Sequence, residues 1–281
     1  MKKTVKIILI TALMFCVFSV TAYADMGSKP RVQITIKNQP QEKYYLDLLY
    51  QSGDSTIHDN IKWTDDVMYT TLYNYNDNGW VPALAKGTPM PIWGNLEPDE
   101  NGQHIIGYYG VPDEFKIIII TESGQMKISD VISRKSMEIS LTLDYNDMSY
   151  TSKPVWTAYI AQFVSTCFIT IVAEFIILAM FFMAKKSNLK PFLKMNIITQ
   201  LFMTVVLSTF FLNYGTFSVY MFLPVVELVI FIFEIWYSIK YFEGKDSLTK
   251  RCYAVVANGV SMTCTFLSLE KIMDFMFKVI R

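Results

Sequence analysis

The hydrophobic pattern changes character twice along the chain. Residues 7–20 are apolar apart from Thr11 and Ser19. From residue 25 to 153, apolar positions alternate with polar ones or gather in short β-branched runs, at 32–37, 44–50, 104–109, 115–121, 126–129 and 137–144. Such runs bounded by turn residues predict strands. Ser123-Gly124, set between residues 116–121 and 125–129, predicts a hairpin. Residues 63–75 leave room for a short helix. Residues 79–102 hold Pro82, Pro89, Pro91 and Pro98 and read as a long surface loop.

From residue 154 onward the pattern becomes continuously apolar. Four windows, about 158–183, 192–212, 217–242 and 252–269, approach or exceed the roughly 20 residues that cross a bilayer. Backbone N–H and C=O groups in hydrocarbon must pair within the segment, so these windows should be helices. The connections between them are short, which predicts antiparallel neighbours. Pro224 inside the third window is a candidate kink. The expected fold is therefore a membrane protein: a small β-rich, sandwich-like extracytoplasmic domain followed by an antiparallel four-helix transmembrane bundle.

Composition sharpens this picture. Hydrophobic residues make up 52% of the 281 and charged residues only 18%, below the roughly 25% usual for soluble domains. Lys2, Lys3 and Lys6 precede the first apolar run, and Ala22-Tyr23-Ala24 follows it. Residues 1–24 thus read as a signal peptide, with an uncleaved anchor as the alternative. The net charge of zero conceals a division: +3 in residues 1–24, −7 in 25–153 and +4 in 154–281. Lys185, Lys186, Lys190 and Lys194 follow the first span, and Lys240, Lys245, Lys250 and Arg251 follow the third, while residues 213–218 carry no charge. The positive-inside rule then puts residues 25–153 on the extracellular side of the cell membrane. Lys271, Lys278 and Arg281 run against that rule, so the last segment is alternatively an interfacial helix. No basic excess suits a nucleic-acid partner, and no cysteine lies in residues 25–153 to form a disulfide.

Reactive motifs are few. The chain has no H-E-x-x-H helix, no phosphate-binding G-x-x-x-x-G-K-[ST] loop and no G-x-S-x-G elbow. It reads as a non-enzyme without cofactor or metal. His58 and His104 are far apart in sequence and suit ordinary surface or strand positions. The stretches Asn74–Gly79 and Glu97–Gly102 put oxygen side chains before glycine. The twelfth-position acid of a calcium loop is absent in both, which leaves Asn- and Asp-rich turns. Trp63, Trp80 and Trp93 are a candidate aromatic binding surface for glycan or peptide.

The apolar half carries the sharper signal. Glu174, Glu227 and Glu234 fall within spans, where an ionisable group is costly and a functional candidate. Glu227 and Glu234 are seven residues apart, on one helix face and about 10.5 Å apart along the axis. Asn196 with Gln200, and Asn258 with Ser261, also share faces. Together these seven residues predict an intramembrane polar belt, serving as a proton or cation site, a surface for a membrane partner, or interhelical hydrogen bonding.

The sequence run Glu174…Asn196-Ile-Ile-Thr199, then Glu227-Leu-Val…Glu234…Tyr237, then Arg251-Cys-Tyr-Ala…Ala257-Asn258-Gly-Val-Ser261, resembles a family of uncharacterised Firmicutes (Clostridia-like) membrane proteins. Gly27-Ser-Lys-Pro30 and Tyr44-Tyr45…Leu48-Leu49 add to the likeness. That resemblance implies a signal peptide, an exported domain and four C-terminal transmembrane helices, and no activity. The chain departs from the pattern at Thr263, Cys264 and Thr265, where the family tends to have a glycine. Two functions follow from the whole. One is an extracytoplasmic domain that binds a ligand or partner, in a sensory or accessory role. The other is a small transporter or transporter subunit using the intramembrane carboxylates. Expected partners are the lipid bilayer and a membrane-protein partner or a homo-oligomer.

Overall fold

The structure, a computed structural model, describes residues 29–52 and 58–280; residues 1–24, read as a signal peptide, lie outside it. An N-terminal β region is followed by four long apolar helices. The strands are β1 (Arg31–Lys37), β2 (Tyr44–Gln51), β3 (Trp80–Pro82), β4 (Gln103–Gly107), β5 (Glu114–Thr121), β6 (Met126–Ile128), β7 (Ile132–Ser133), β8 (Glu138–Asp144) and β9 (Tyr150–Ser152). They form two sheets, ordered β4-β1-β8-β9 and β3-β2-β5-β6, with β7 also paired to β5. Every pairing is antiparallel except β1 with β8, which run parallel from Arg31↔Glu138 to Lys37↔Asp144.

Burial explains the two sheets. In β1, Val32, Ile34 and Ile36 are buried and alternate with half-buried neighbours, the mark of a strand with one covered face. In β2, every residue from Tyr44 to Tyr50 is buried, as are Ile117 to Thr121 in β5. The second sheet is thus covered on both faces. One core cluster draws Val32, Ile34, Ile106 and Leu141 together with Leu46, Leu48, Ile117 and Ile119.

The second cover of β2 comes from the stretch expected to be a surface loop. After β3, Ala83, Leu84, Ala85, Ile92 and Leu96 are all buried. Its prolines do interrupt regular structure, but its apolar residues lie over β2. Ala83 N donates to Leu48 O at 2.7 Å, and Leu46 N donates to Leu96 O at 2.9 Å. Two polar side chains pin it down. Asp47, fully buried in mid-strand, accepts from Leu48 N (2.7 Å), Leu84 N (2.9 Å) and Ala85 N (2.9 Å). Asn60 donates to Ala83 O and Thr88 Oγ1 and accepts from Ile92 N. Helix α1 (Val67–Asn74) realises the short helix expected within residues 63–75, its first turn capped by the Asp66 carboxylate. The β5–β6 hairpin also matches the sequence, with Gly124 at φ +84° in its turn.

The apolar helices are α2 (Trp156–Met180), α3 (Lys186–Tyr214), α4 (Thr216–Tyr241) and α5 (Ser247–Ile280), each long and apolar enough to cross a membrane. They are the make-up of a multi-pass membrane protein. Each packs on its neighbours in sequence, and α2 packs on α5. Several boundaries differ from the sequence reading, α3 starting at Lys186 rather than 192 and α5 at Ser247 rather than 252. Helix α2 ends at Met180 rather than 183, where Phe182 turns to φ +54°. The uncharged connection at 213–218 shrinks to Gly215, whose φ of +76° lets one residue end α3 and start α4. Helix α5 runs through Lys271 to Ile280, because Ile272, Met273, Met276 and Ile280 keep one face buried at helical spacing.

A buried asparagine near two connections was not singled out from sequence. Asn188 Nδ2 donates to Met183 O (3.0 Å) and Glu243 O (3.2 Å), while its Oδ1 accepts from Glu243 N (2.8 Å). It ties the α2–α3 connection to the one after α4. Replacing Asn188 with Ala should lower stability by about 2–3 kcal/mol, since buried backbone groups lose their partners. Thermal unfolding in detergent would show this as a lower midpoint, and an unchanged midpoint would refute it.

Candidate functional site

The intramembrane belt is built on a stripe of α2. Gln162, Thr166, Thr170 and Glu174 recur every fourth residue, and all four are buried. Each faces a polar residue of α3 or lies in line with one. Ser208 donates to Gln162 Oε1, Gln200 Nε2 donates to Thr170 Oγ1 at 3.1 Å, and Asn196 sits beside Glu174. The paired numbers fall by eight and then four on α3 as they rise by eight and then four on α2, so the rungs share one register, into which Thr166 and Thr204 also fit.

Helices α4 and α5 complete the belt near Glu174. Ser261 Oγ donates to Glu174 Oε1 at 3.1 Å. Asn258 Nδ2 donates to Glu234 Oε2 at 2.7 Å and to Ala254 O at 2.9 Å. Thr199 lies beside Glu234, and Glu227 is within electrostatic reach of both Glu174 and Glu234. All seven residues expected in the belt are buried: Glu174, Asn196, Gln200, Glu227, Glu234, Asn258 and Ser261. With α2 ending at Met180, Glu174 lies six residues, about 9 Å, from its end. Thr199 and Tyr253, although within the sequence runs quoted above, were not assigned to the belt from sequence. The signal for Thr199 was its place three residues after Asn196, on the same face.

Several oxygens of this belt lack a hydrogen-bond donor. They are Glu174 Oε2, Asn196 Oδ1 and Gln200 Oε1, each fully buried. The Tyr253 and Thr204 hydroxyls are also buried without a partner. No lysine or arginine is among the buried polar residues described. Carboxylate and amide oxygens without donors, and without a counter-charge, form an environment that favours a positive charge. No group of three or more His, Cys, Asp or Glu among the described residues could hold a metal ion. The oxygens lie on successive rungs, Glu174 beside Asn196 and Gln200 beside Thr170, and a carboxylate with a neighbouring amide oxygen suits a proton or a monovalent ion.

The three tryptophans have separate neighbours. Trp63 meets Tyr69 and Tyr73 edge-on, Trp80 lies under Lys116, and Trp93 stacks on Tyr108. Trp63 and Trp93 are exposed, whereas Trp80 packs against the core. His104 is buried against the Tyr44 hydroxyl at 3.3 Å, and burial holds its ring down to about 4, so it is uncharged at neutral pH. His58 pairs through its backbone with Thr88. The two acidic stretches are turns: Asp99 Oδ1 accepts from Asn101 N and Gln103 N, and Asn76 Oδ1 accepts from Gly79 N. Comparison with protein-family models, curated proteins and solved structures found no match to this chain.

Proposed function

We propose that this is a multi-pass membrane protein whose helices bind a proton or a monovalent cation at Glu174, in an ion-linked transport or accessory role. The observation that carries this reading is the set of donorless oxygens on Glu174, Asn196 and Gln200. The falling and rising rung numbers on α2 and α3 support an antiparallel bundle. The two sheets with one shared core support a sandwich-like domain, at residues 25–153, ahead of a transmembrane domain at 154–281. Basic residues after α2 and α4 support an extracytoplasmic place for the sheets, with residues 1–24 as the leading signal.

Hydrogen bonds to Glu174 from α5, and to Glu234 from α5, make the site part of the helix packing. Binding a cation there would change how firmly α2, α3 and α5 hold together. Thermal unfolding of the full chain in detergent tests this directly. Na+, K+ or Li+ at a hundred times its dissociation constant would add about 2.7 kcal/mol, and a proton would act likewise as pH falls. Glu174→Gln should abolish the cation response, and in an Asp47→Asn background the pH response as well, while the protein still folds. A midpoint unmoved by Na+, K+, Li+ and pH from 5 to 9 would sink the reading. A second role, ligand capture by the β region, draws on exposed Trp63 and Tyr73, which meet edge-on beside buried Tyr69.

A further inference from the structure

A second exposed aromatic cluster lies at one end of the first sheet. The Trp93 and Tyr108 rings stack with centroids 3.8 Å apart and 18° between planes. Lys29 Nζ sits 4.7 Å from the Tyr108 centroid and within 6 Å of Trp93 and Tyr109. Trp93 is 61% exposed, Met90 53% and Tyr109 47%.

Backbone hydrogen bonds fix where this cluster lies. Leu212 O, in the last turn of α3, accepts from Met137 N at 2.6 Å. Met137 O accepts from Arg31 N at 2.8 Å, and Pro30 O accepts from Tyr108 N at 2.9 Å. Gly107 and Trp93 then exchange both N–H···O bonds, at 2.8 Å each. A lateral row of chain segments thus leads from the end of a membrane helix to Trp93. Adjacent segments in such a row lie about 4.8 Å apart and side by side, so Trp93 shares with Arg31 and Gly107 the end of the sheet that meets α3. At this level α3 passes from Phe210, Phe211 and Leu212 to Asn213, Tyr214 and Gly215, the change from hydrocarbon to headgroups.

The other end of the β region gives the same answer. Strand β9 runs antiparallel to β8, from Leu143 toward Leu141, and ends at Ser152. Four residues later Trp156, 60% exposed, opens α2. The end of the sheet that carries Glu138, Arg31 and Gly107 is therefore the end from which the chain enters the membrane helices.

We infer that Trp93, Tyr109 and Met90, with Lys29 beside them, seat the β region on the headgroup layer of the bilayer. The chemistry suits that place. Tryptophan and tyrosine settle where an apolar ring meets water, and a lysine stem lies along apolar surface while its ammonium reaches phosphate. The backbone holds the cluster in position. Tyr108 keeps φ at +91°, costly for a residue with a side chain, and Gly110 passes so close to Met90 that a Cβ would meet Met90 O at 2.1 Å. This inference does not depend on the carboxylate site.

Fluorescence of the full chain in phosphatidylcholine vesicles tests it. The contribution of Trp93 is the difference between parent and Trp93→Phe spectra, the variant being checked for an unchanged melting midpoint. Shallow doxyl-labelled lipid should quench that contribution, and aqueous iodide should quench it several-fold less in vesicles than in lipid-free amphipol. Equal iodide quenching in both, without doxyl quenching, would overturn the inference. So would shielding of Trp93 from iodide by added chito-oligosaccharide in vesicles, which would assign the face to glycan. A variant that fails to fold is replaced by Trp93→Tyr, read through the same two quenchers.

Discussion

Asp47→Ala is expected to cost about 3–5 kcal/mol, because it strands three buried backbone N–H groups and leaves a void beside them. The carboxylate is fully buried and holds Leu48, Leu84 and Ala85 by their amides at 2.7–2.9 Å. Against a total stability of about 5–15 kcal/mol, that loss is large. Leu84 and Ala85 would be released from β2, and the buried residues between Ala83 and Leu96 with them. Proteolysis of the full chain in micelles should then cut near residues 84–96 well before the helices. A loss of stability below about 1 kcal/mol would show that the amides find other partners. The pH dependence has a fixed sign. Burial raises the Asp47 carboxyl from 3.8 to about 7, against the pull of the amides. The folded chain then binds the proton more tightly than the unfolded chain, so this contribution to stability falls as pH rises from about 4 to 7. Asp47→Asn should flatten that slope.

Gly110→Ala is expected to be the other severe change. An added Cβ would stand 2.1 Å from Met90 O, 2.7 Å from Ile92 Cγ1 and 2.9 Å from Met90 C. Two of the three obstacles are backbone, so no side-chain rotation relieves the overlap. Forced overpacking of this kind costs about 1–3 kcal/mol or more, and the segment from Met90 to Trp93 must move. Gly124→Ala is the instructive contrast. Its Cβ would meet nothing within 4 Å, so only the φ of +84° is strained, at about 1–2 kcal/mol. Melting midpoints of the two variants should therefore differ, with Gly110→Ala lower and its Trp93 emission shifted. Equal midpoints would refute the steric account.

Periodicity carried most of what the sequence disclosed. The runs that became β1, β2, β4, β5, β6 and β8 were legible because hydrophobic alternation and β-branched density are local properties. The four spans were legible for the same reason. What escaped notice was set by tertiary contact. Strands β7 and β9, of two and three residues, carry too little pattern to register. Residues 79–102 looked like a surface loop because proline marks irregular backbone, yet irregular backbone can still be buried when Asp47 and Asn60 satisfy it. A signal for this existed: Asp47 interrupts the run Tyr44-Tyr-Leu-Asp-Leu-Leu-Tyr50, an acid where β2 is otherwise apolar. Of the intramembrane belt, the residues were legible from the cost of burying charge. Their order across the helices was not, since Gln162 with Ser208, and Thr170 with Gln200, meet only through the packing of α2 on α3.

The single parallel pairing has a consequence for biosynthesis. Strand β1 lies between β4 and β8, and its parallel partner arrives about a hundred residues later in the chain. At about 5–20 residues per second, a nascent β1 waits roughly 5–20 s for β8. In that interval one edge of β1 lacks its ladder partner, and an uncovered strand edge invites wrong partners. The residues that end the wait, Glu138–Asp144, leave the ribosome only a dozen positions ahead of Trp156 and the first apolar helix. Closure of the sheet and entry of the first helix into lipid thus fall almost together, and a delay in either leaves the other exposed.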